Sequence, residues 1–184
     1  SDVYKRQVGE YPHNLGEGKL ESGQENNLYY LLGLVQEKLG EAKDAFESLT
    51  RACCGESEPV GMMYYNDQPP EMIYYQGLAY RMLGEEEQAV RRFQKLVDYG
   101  REHIRDDVKI DYFAVSLPDL LIFEENLNER NRKHCLFMMS LGLKGLGRID
   151  EAEKCAEELL AMDNAHQEIR VHDPVSYTHL RAHE

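Results

Sequence analysis

The stretch MIYYQGLAYRMLGEEEQAVRRFQKLV at residues 72–97 decides the fold of this chain. Apolar residues recur three and four positions apart on both sides of Leu83-Gly84, which predicts two amphipathic helices joined by a tight turn. Gly84 marks the tight turn between the two helices. Gly77 stands seven positions before this turn and Ala89 five after it. Small residues at these places indicate that the two helices approach closely, so the stretch predicts a helical hairpin.

The same pattern occurs twice more, around Leu39-Gly40 and Leu146-Gly147. The small residues Gly33 and Ser140 stand seven positions before the two turn glycines. We therefore predict an all-α chain built from three helix pairs. The expected core residues repeat at helical spacing through six runs, and they are Leu28, Leu31, Leu32, Val35, Ala42, Ala45, Phe46, Leu49, Ala52, Met72, Ile73, Leu78, Ala79, Leu83, Ala89, Val90, Phe93, Leu96, Val97, Leu136, Phe137, Met139, Leu143, Leu146, Ile149, Ala152, Ala156, Leu159 and Leu160.

This arrangement resembles the tetratricopeptide repeat, a helix–turn–helix unit of about 34 residues. The second unit is the best match, whereas Tyr29, Ile73 and Leu136 stand where the repeat usually has a large tryptophan. The turn glycines are spaced more widely than one repeat, which leaves two insertions. The resemblance implies a solenoid of three tetratricopeptide-like helix pairs with two long inserted connectors. We expect a further helix to begin at residues 165–171. In the second connector we expect a short strand or extended segment at 108–115, then a helix start at 116–119 and a short apolar helix at 120–123.

Three stretches carry a second resemblance: YPHNLGEGKL at 11–20, YYNDQPPEMIYYQGLAYRMLG at 64–84 and DDVKIDYFAVSLPDLLIFEENLNERNRKHC at 106–135. They resemble the C-terminal repeat region of a bacterial family with a large N-terminal domain of unknown, carbohydrate-related function. This resemblance implies that any catalysis belongs to an upstream domain, and that the present chain is its helical companion.

The two ends differ in character from the rest of the chain. Residues 1–7, SDVYKRQ, and residues 175–184, VSYTHLRAHE, resemble the translated read-through of a sequencing adapter. We therefore expect neither end to be native and exclude both from the fold. Residues 8–174 are expected to form a tetratricopeptide-like helical repeat domain that is a fragment of a longer protein.

Composition excludes several classes of function. The chain has 34 Asp and Glu against 21 Lys and Arg, a formal net charge of −13 at pH 7. Such a surface repels phosphate, so we expect no binding to nucleic acid or to an anionic membrane. No window approaches the roughly 18 apolar residues of a spanning helix. We expect a cytoplasmic protein, because small buried thiols in a reducing compartment account for all four cysteines, Cys53, Cys54, Cys135 and Cys155.

Motifs for a metal, a nucleotide or catalysis are weak. The cysteines lack the CxxC spacing of a zinc site, and the glycines at 142–147 and 16–18 lack the spacing of a phosphate-binding loop. His103 precedes Asp106 and Asp107, which is compatible with a metal ligand but is more typical of a solvated helix end. We therefore expect no cofactor, no metal and no catalytic residue in this chain.

Tyrosines and neighbouring polar residues around the insertions are the candidate binding surface. Tyrosine is rigid and amphipathic, and it is favoured where a polar ligand or a protein surface binds. The alternative is that half of these rings pack between helices. The candidate partner-binding residues are Tyr64, Tyr65, Asn66, Asp67, Gln68, Tyr74, Tyr75 and Tyr112.

The function that these features favour is a non-catalytic protein-interaction or scaffold module of a larger bacterial protein. It would pack against or recruit a partner, either a separate protein or an upstream domain of the same chain. The alternative is the helical part of a carbohydrate-active enzyme whose catalytic domain lies upstream, which gives a possible carbohydrate link. A small-ligand binder is a third hypothesis.

Overall fold

A computed structural model describes residues 24–61, 67–108 and 126–172. Within these ranges the chain forms seven helices and no strand, which confirms the all-α prediction. The first six helices form three packed hairpins that stack in order along the chain, as in a tetratricopeptide-like solenoid. The helices are α1 (Asn26–Lys38), α2 (Ala42–Ala52), α3 (Pro70–Met82), α4 (Glu86–His103), α5 (Leu127–Gly145), α6 (Ile149–Met162) and α7 (Gln167–His172).

The three turns between paired helices share one geometry. Gly40, Gly84 and Gly147 have φ angles of 78°, 81° and 75°. In each turn the glycine amide donates to the carbonyl three residues earlier, and the following amide donates to the carbonyl five residues earlier. This pair of bonds satisfies carbonyls that a helix end leaves free. The left-handed φ explains the preference for glycine at all three positions.

Small residues allow the helices of a pair to approach, as the sequence predicted. A Cβ atom on Gly33 would lie 2.7 Å from Leu49 Cγ, and one on Gly77 would lie 2.5 Å from Phe93 Cε1. Adjacent pairs also meet closely, because a Cβ atom on Gly142 would lie 2.5 Å from the carbonyl oxygen of Phe93. Backbone contact at these distances fixes the angle between neighbouring helices.

Two buried clusters hold the stack together. The larger cluster extends from Ile73 to Ile169 and has the fully buried Phe93 and Leu136 at its centre. The smaller cluster joins the first pair to the second. It consists of Leu49, Ala52, Cys53 and Ala79.

Several residues predicted for the core are exposed instead. Leu31 is 49% exposed and Val35 is 41% exposed on α1. Val35 stands in the same register as Ala79 of α3, which packs on the preceding pair; no preceding pair exists among the described residues. Phe46 is 62% exposed because it lies beside the buried stripe of α2 that Ala45 and its neighbours form. The prediction is also wrong for Leu28, Ala42, Val90 and Ile149, which are exposed.

The first connector joins α2 to α3 (residues 53–69), and the second joins α4 to α5 (residues 104–126). The structure describes only parts of each. Pro69 is extended at φ −62° and ψ 135°, and Pro70 is the first residue of α3, as expected. The predicted segment 108–115, apart from Val108, and the predicted helix at 116–123 lie outside the described residues. Helix α7 confirms the further helix expected near 165–171. None of the helices in the described ranges has the length and apolar character needed to cross a membrane.

Candidate functional site

The first helices of the three pairs place an aromatic row on one surface. Tyr30, Tyr74 and Phe137 each stand ten positions before their turn glycine, on α1, α3 and α5. Helix α1 packs beside α3, and α3 beside α5. Tyr74 and Phe137 are 6% and 4% exposed, so both rings are largely covered. The ring centroid of Tyr75 lies 5.5 Å from that of Tyr30 and 5.8 Å from that of Tyr74. We call this surface of α1, α3 and α5 the inner face.

Helix α7 lies on the inner face. The ring centroid of His172 is 5.7 Å from those of both Tyr74 and Tyr75, and 6.3 Å from that of Phe137. Lys144 Nζ donates a hydrogen bond to the carbonyl oxygen of His172. Ile169 of the same helix is only 1% exposed and joins the larger core cluster.

A groove of about 410 Å³ opens beside the ring of Phe137, which is the member of the aromatic row that lines it. It is bounded by the first connector, the start of α3, the first half of α5, and the segment that leads into α7. Positively and negatively charged side chains both line the groove, so it offers hydrogen-bond donors and acceptors next to apolar surface. Its lining residues are Gly61, Pro69, Pro70, Glu71, Arg130, Lys133, His134, Phe137, Asp163, His166 and Glu168.

Burial shifts two titratable groups of the groove. Burial raises the pKa of Glu71, and the negative charge of Glu168 adds to this rise, although a backbone hydrogen bond opposes it. Burial also lowers the pKa of His134, so the imidazole is held neutral. His134 Nε2 lies 2.8 Å from the carbonyl oxygen of Val60, to which it donates. This bond attaches α5 to the first connector.

Buried amides fix the first connector to the helices. Gln76 is fully buried, and its Nε2 donates to the carbonyls of Cys54 at 3.1 Å and Glu56 at 2.8 Å. Gln76 Oε1 accepts from Arg92 Nε at 3.2 Å. Asn26 Nδ2 donates to the carbonyl of Cys54 at 2.7 Å. The connector therefore stands in a fixed position at the edge of the groove.

The predicted binding residues have different positions. Tyr74 and Tyr75 come together on the inner face, where Tyr74 is 6% exposed and Tyr75 is partly buried. Gln68 lies in the connector, where it donates to the carbonyl of Glu56 and accepts from Gln24. Asp67 precedes it. Their binding role stays a prediction, and the remaining four lie outside the described residues: Tyr64, Tyr65, Asn66 and Tyr112.

The sequence analysis did not identify several residues as part of the groove. Phe137 occupies the register of Tyr74, and counting ten positions back from each turn glycine would have revealed it. His166 and Glu168 line the groove through the course of the chain into α7, for which no sequence signal exists. Glu71 lies near the start of α3 and Lys133 in the first half of α5, and no sequence pattern indicated that both line the groove.

The thiols and the histidine–aspartate group lie in different surroundings. Burial raises the pKa of both Cys53 and Cys135 to about 12, so these thiols stay protonated. Cys54 is exposed, contrary to the prediction of a buried thiol. His103 Nδ1 lies 2.6 Å from Asp106 Oδ2 at the end of α4. In the ranges that the structure describes, no three His, Cys, Asp or Glu side chains converge as metal ligands would.

Comparison with known families gives one match. The family model of the tetratricopeptide repeat matches residues 71–99, which are nearly all of α3 and most of α4. This is the helix pair in which the sequence resemblance is greatest. No solved structure matches the chain. Tetratricopeptide repeats generally mediate protein–protein interaction, and the resemblance to a particular bacterial family stays a prediction.

Proposed function

We propose that this tetratricopeptide-repeat chain is a non-catalytic interaction module of a larger bacterial protein, and that it binds a partner protein segment along its inner face. One observation carries the proposal. Three successive helix pairs place aromatic residues in one row, next to a groove of about 410 Å³ that contains charges of both signs.

The chemistry of this surface suits a polypeptide. Aromatic rings contribute large contact areas at a small cost in side-chain entropy, and they dominate the energetics of many protein interfaces. Lys133 and Arg130 offer donors to the carbonyls or carboxylates of a segment, and Glu71 and Asp163 offer acceptors. The stacked helices and the anchored connector hold these groups in place before binding, which lowers the entropy cost of association.

A displayed peptide library tests the proposal. Peptides selected on the immobilised chain are measured against Tyr75→Ala and Lys133→Ala, two changes on the inner face. Lys154→Ala is the matched control, because Lys154 is exposed on α6 and does not line the groove. At the buried Tyr74 the change is to phenylalanine, not to alanine, because truncation of this side chain would also create a cavity.

The expected result is about a tenfold loss of affinity for each inner-face variant, about 1.4 kcal/mol, with Lys154→Ala unchanged. Selected peptides that bind all variants equally, or a selection that enriches nothing, would contradict the proposal. The alternative of a helical companion to a carbohydrate-active domain stays a prediction. An activity assay of the full-length protein tests it, with the second connector, residues 104–126, either intact or replaced by a short Gly-Ser linker.

A further inference from the structure

Helix α7 departs from the course of the stack. It follows α6, where the first helix of a fourth pair would stand, and such a helix would lie beside α5 as α5 lies beside α3. The last residue of α7 instead reaches back to α3. The ring of His172 contacts Tyr74 and Tyr75 of that helix in addition to Phe137 of α5. Helix α7 therefore crosses the inner face.

Two side chains of α7 make this contact. Ile169 and His172 are three positions apart, so they lie on one side of the helix. Ile169 is buried in the larger core cluster, and the ring of His172 enters the aromatic row. Val171, which is 67% exposed, points to the other side. The segment thus docks as a short amphipathic helix docks into a groove.

The fit is electrostatically poor. Glu168 faces Glu71 across the groove, and the two negative charges disfavour each other, which contributes to the raised pKa of Glu71. His172 must stay neutral beside the Lys144 ammonium, because burial and this cation lower its pKa to about 4. Helix α7 also has only six residues, so few contacts oppose its release.

We propose that the segment Gln167–His172 is an internal ligand of the inner face, seated on Tyr74, Tyr75 and Phe137 beside the groove, which a partner must displace. The partner presents a helical turn with an aliphatic side chain and, three residues later, an aromatic or imidazole ring. It carries a basic residue where this chain has Glu168, because that residue would face Glu71. This inference rests on the proposed function and specifies the partner class and the regulation of the same site.

The test supplies the segment as a separate molecule. The probe is a fluorescein-labelled peptide of sequence DNAHQEIRVH, residues 163–172, with blocked ends. The full chain is compared with its double variant Ile169→Ala/His172→Ala, which releases the segment. Val171→Ala is the matched control on the exposed side of the same helix. A second peptide replaces the residue equivalent to Glu168 by lysine, and a third replaces the residue equivalent to Ile169 by alanine.

Fluorescence anisotropy is expected to show at least tenfold tighter peptide binding by the double variant than by the unchanged chain or Val171→Ala. The lysine peptide binds several-fold more tightly than the natural sequence, and the alanine peptide loses binding. Circular dichroism checks the helix content of each variant. If the double variant is unfolded, His172→Ala alone is used, since it removes only the ring that contacts the aromatic row.

Equal affinity of all folded variants for the peptide would overturn the inference, as would tighter binding by Val171→Ala. These results are separable from failure of the proposed function. If library peptides still depend on Tyr75 while the segment peptide does not bind the released chain, the proposal of an internal ligand is wrong and the interaction surface stands. If neither class of peptide depends on the inner face, both proposals fail.

Discussion

The ring of Phe93 lies directly against the backbone of Gly77, at a distance that leaves no room for a methyl group. A Cβ atom on Gly77 would come within 2.5 Å of Phe93 Cε1. Gly145 of α5 faces the same ring from the adjacent helix pair. Phe93 is fully buried, so a single side chain of α4 determines how the second and third pairs pack.

Replacing Gly77 by alanine should therefore lower the free energy of unfolding by about 1–3 kcal/mol, because a rigid ring must shift in a close-packed core. Urea denaturation followed by circular dichroism measures the change. Gly40→Ala is the informative comparison, since open space surrounds Gly40 and only its φ of 78° opposes a side chain. Gly40→Asn should lower the free energy of unfolding by less than Gly40→Ala does, because asparagine tolerates a left-handed φ better than alanine. A Gly77→Ala protein as stable as the unchanged chain would contradict this account of the packing.

The buried amide of Gln76 makes a second prediction. Gln76→Ala removes the donor to the carbonyls of Cys54 and Glu56 and the acceptor for Arg92. The loss of these partners should cost about 1–3 kcal/mol of stability and loosen the first connector. Hydrogen exchange of residues 54–61 is expected to become faster. Gln94→Ala is the control, because Gln94 is bonded only within its own helix, to Asp98. Unchanged exchange in the connector would show that other contacts hold it.

Acidification should release α7. Burial, together with the Lys144 ammonium, lowers the pKa of His172 from 6.5 to about 4. Between these values the released segment binds a proton that the docked segment does not, so docking weakens as the pH falls from 6.5 toward 4. The equilibrium constant for docking of α7 should fall by about tenfold between pH 7 and pH 5. The rings of Tyr74, Tyr75 and Phe137 contact the imidazole, and the negative charge of Glu168 raises its pKa and so opposes part of the shift.

Nuclear magnetic resonance of the His172 imidazole protons measures this directly. The expected midpoint lies well below 6.5, and hydrogen exchange of α7 accelerates over the same pH range. A His172→Asn variant should lose this pH dependence of exchange. A His172 midpoint at its ordinary value would mean that the ring is not buried among the aromatic residues.

The exposed stripe on α1 predicts self-association. Leu31 and Val35 stand where the corresponding helices of later pairs pack on a preceding pair. Exposed apolar surface of this kind favours association, so Val35→Glu should shift the chain toward monomer in sedimentation velocity without lowering its melting temperature. Phe46→Ser is the comparison, since Phe46 is exposed but lies on α2, apart from the α1 stripe. If the two changes raised the monomer fraction equally, the self-association would be non-specific and not a property of the α1 stripe.

Periodicity and glycine position predicted the helix pairs and their turns. Gly40, Gly84 and Gly147 each require a left-handed φ, and Gly33 and Gly77 each require a close approach, so both constraints act on a single residue and are visible in the sequence. Pro70 likewise reveals the start of α3. Such local requirements do not depend on knowing the neighbouring helix.

The inner face could not be predicted in the same way, because it is formed by residues that are far apart in the sequence. The pair Tyr74 and Tyr75 shows no preference for the core or the surface, because both residues are large and both have a hydroxyl group. The course of α7 is set by the contact of Ile169 and His172 with distant helices, and a six-residue helix has too little periodicity to predict its direction. The exposure of Leu31 and Val35 depends on which helix pairs precede α1.

The central claim is that partner segments bind the inner face and displace α7. An isotope-labelled chain titrated with a peptide from the library selection tests it most directly, because each backbone amide reports on its own surroundings. The predicted result is that amide signals of Tyr75, Phe137 and Lys133 shift together, while those of residues 167–172 move to positions typical of a released segment. Shifts confined to the exposed stripe of α1, or to α6, would contradict the account.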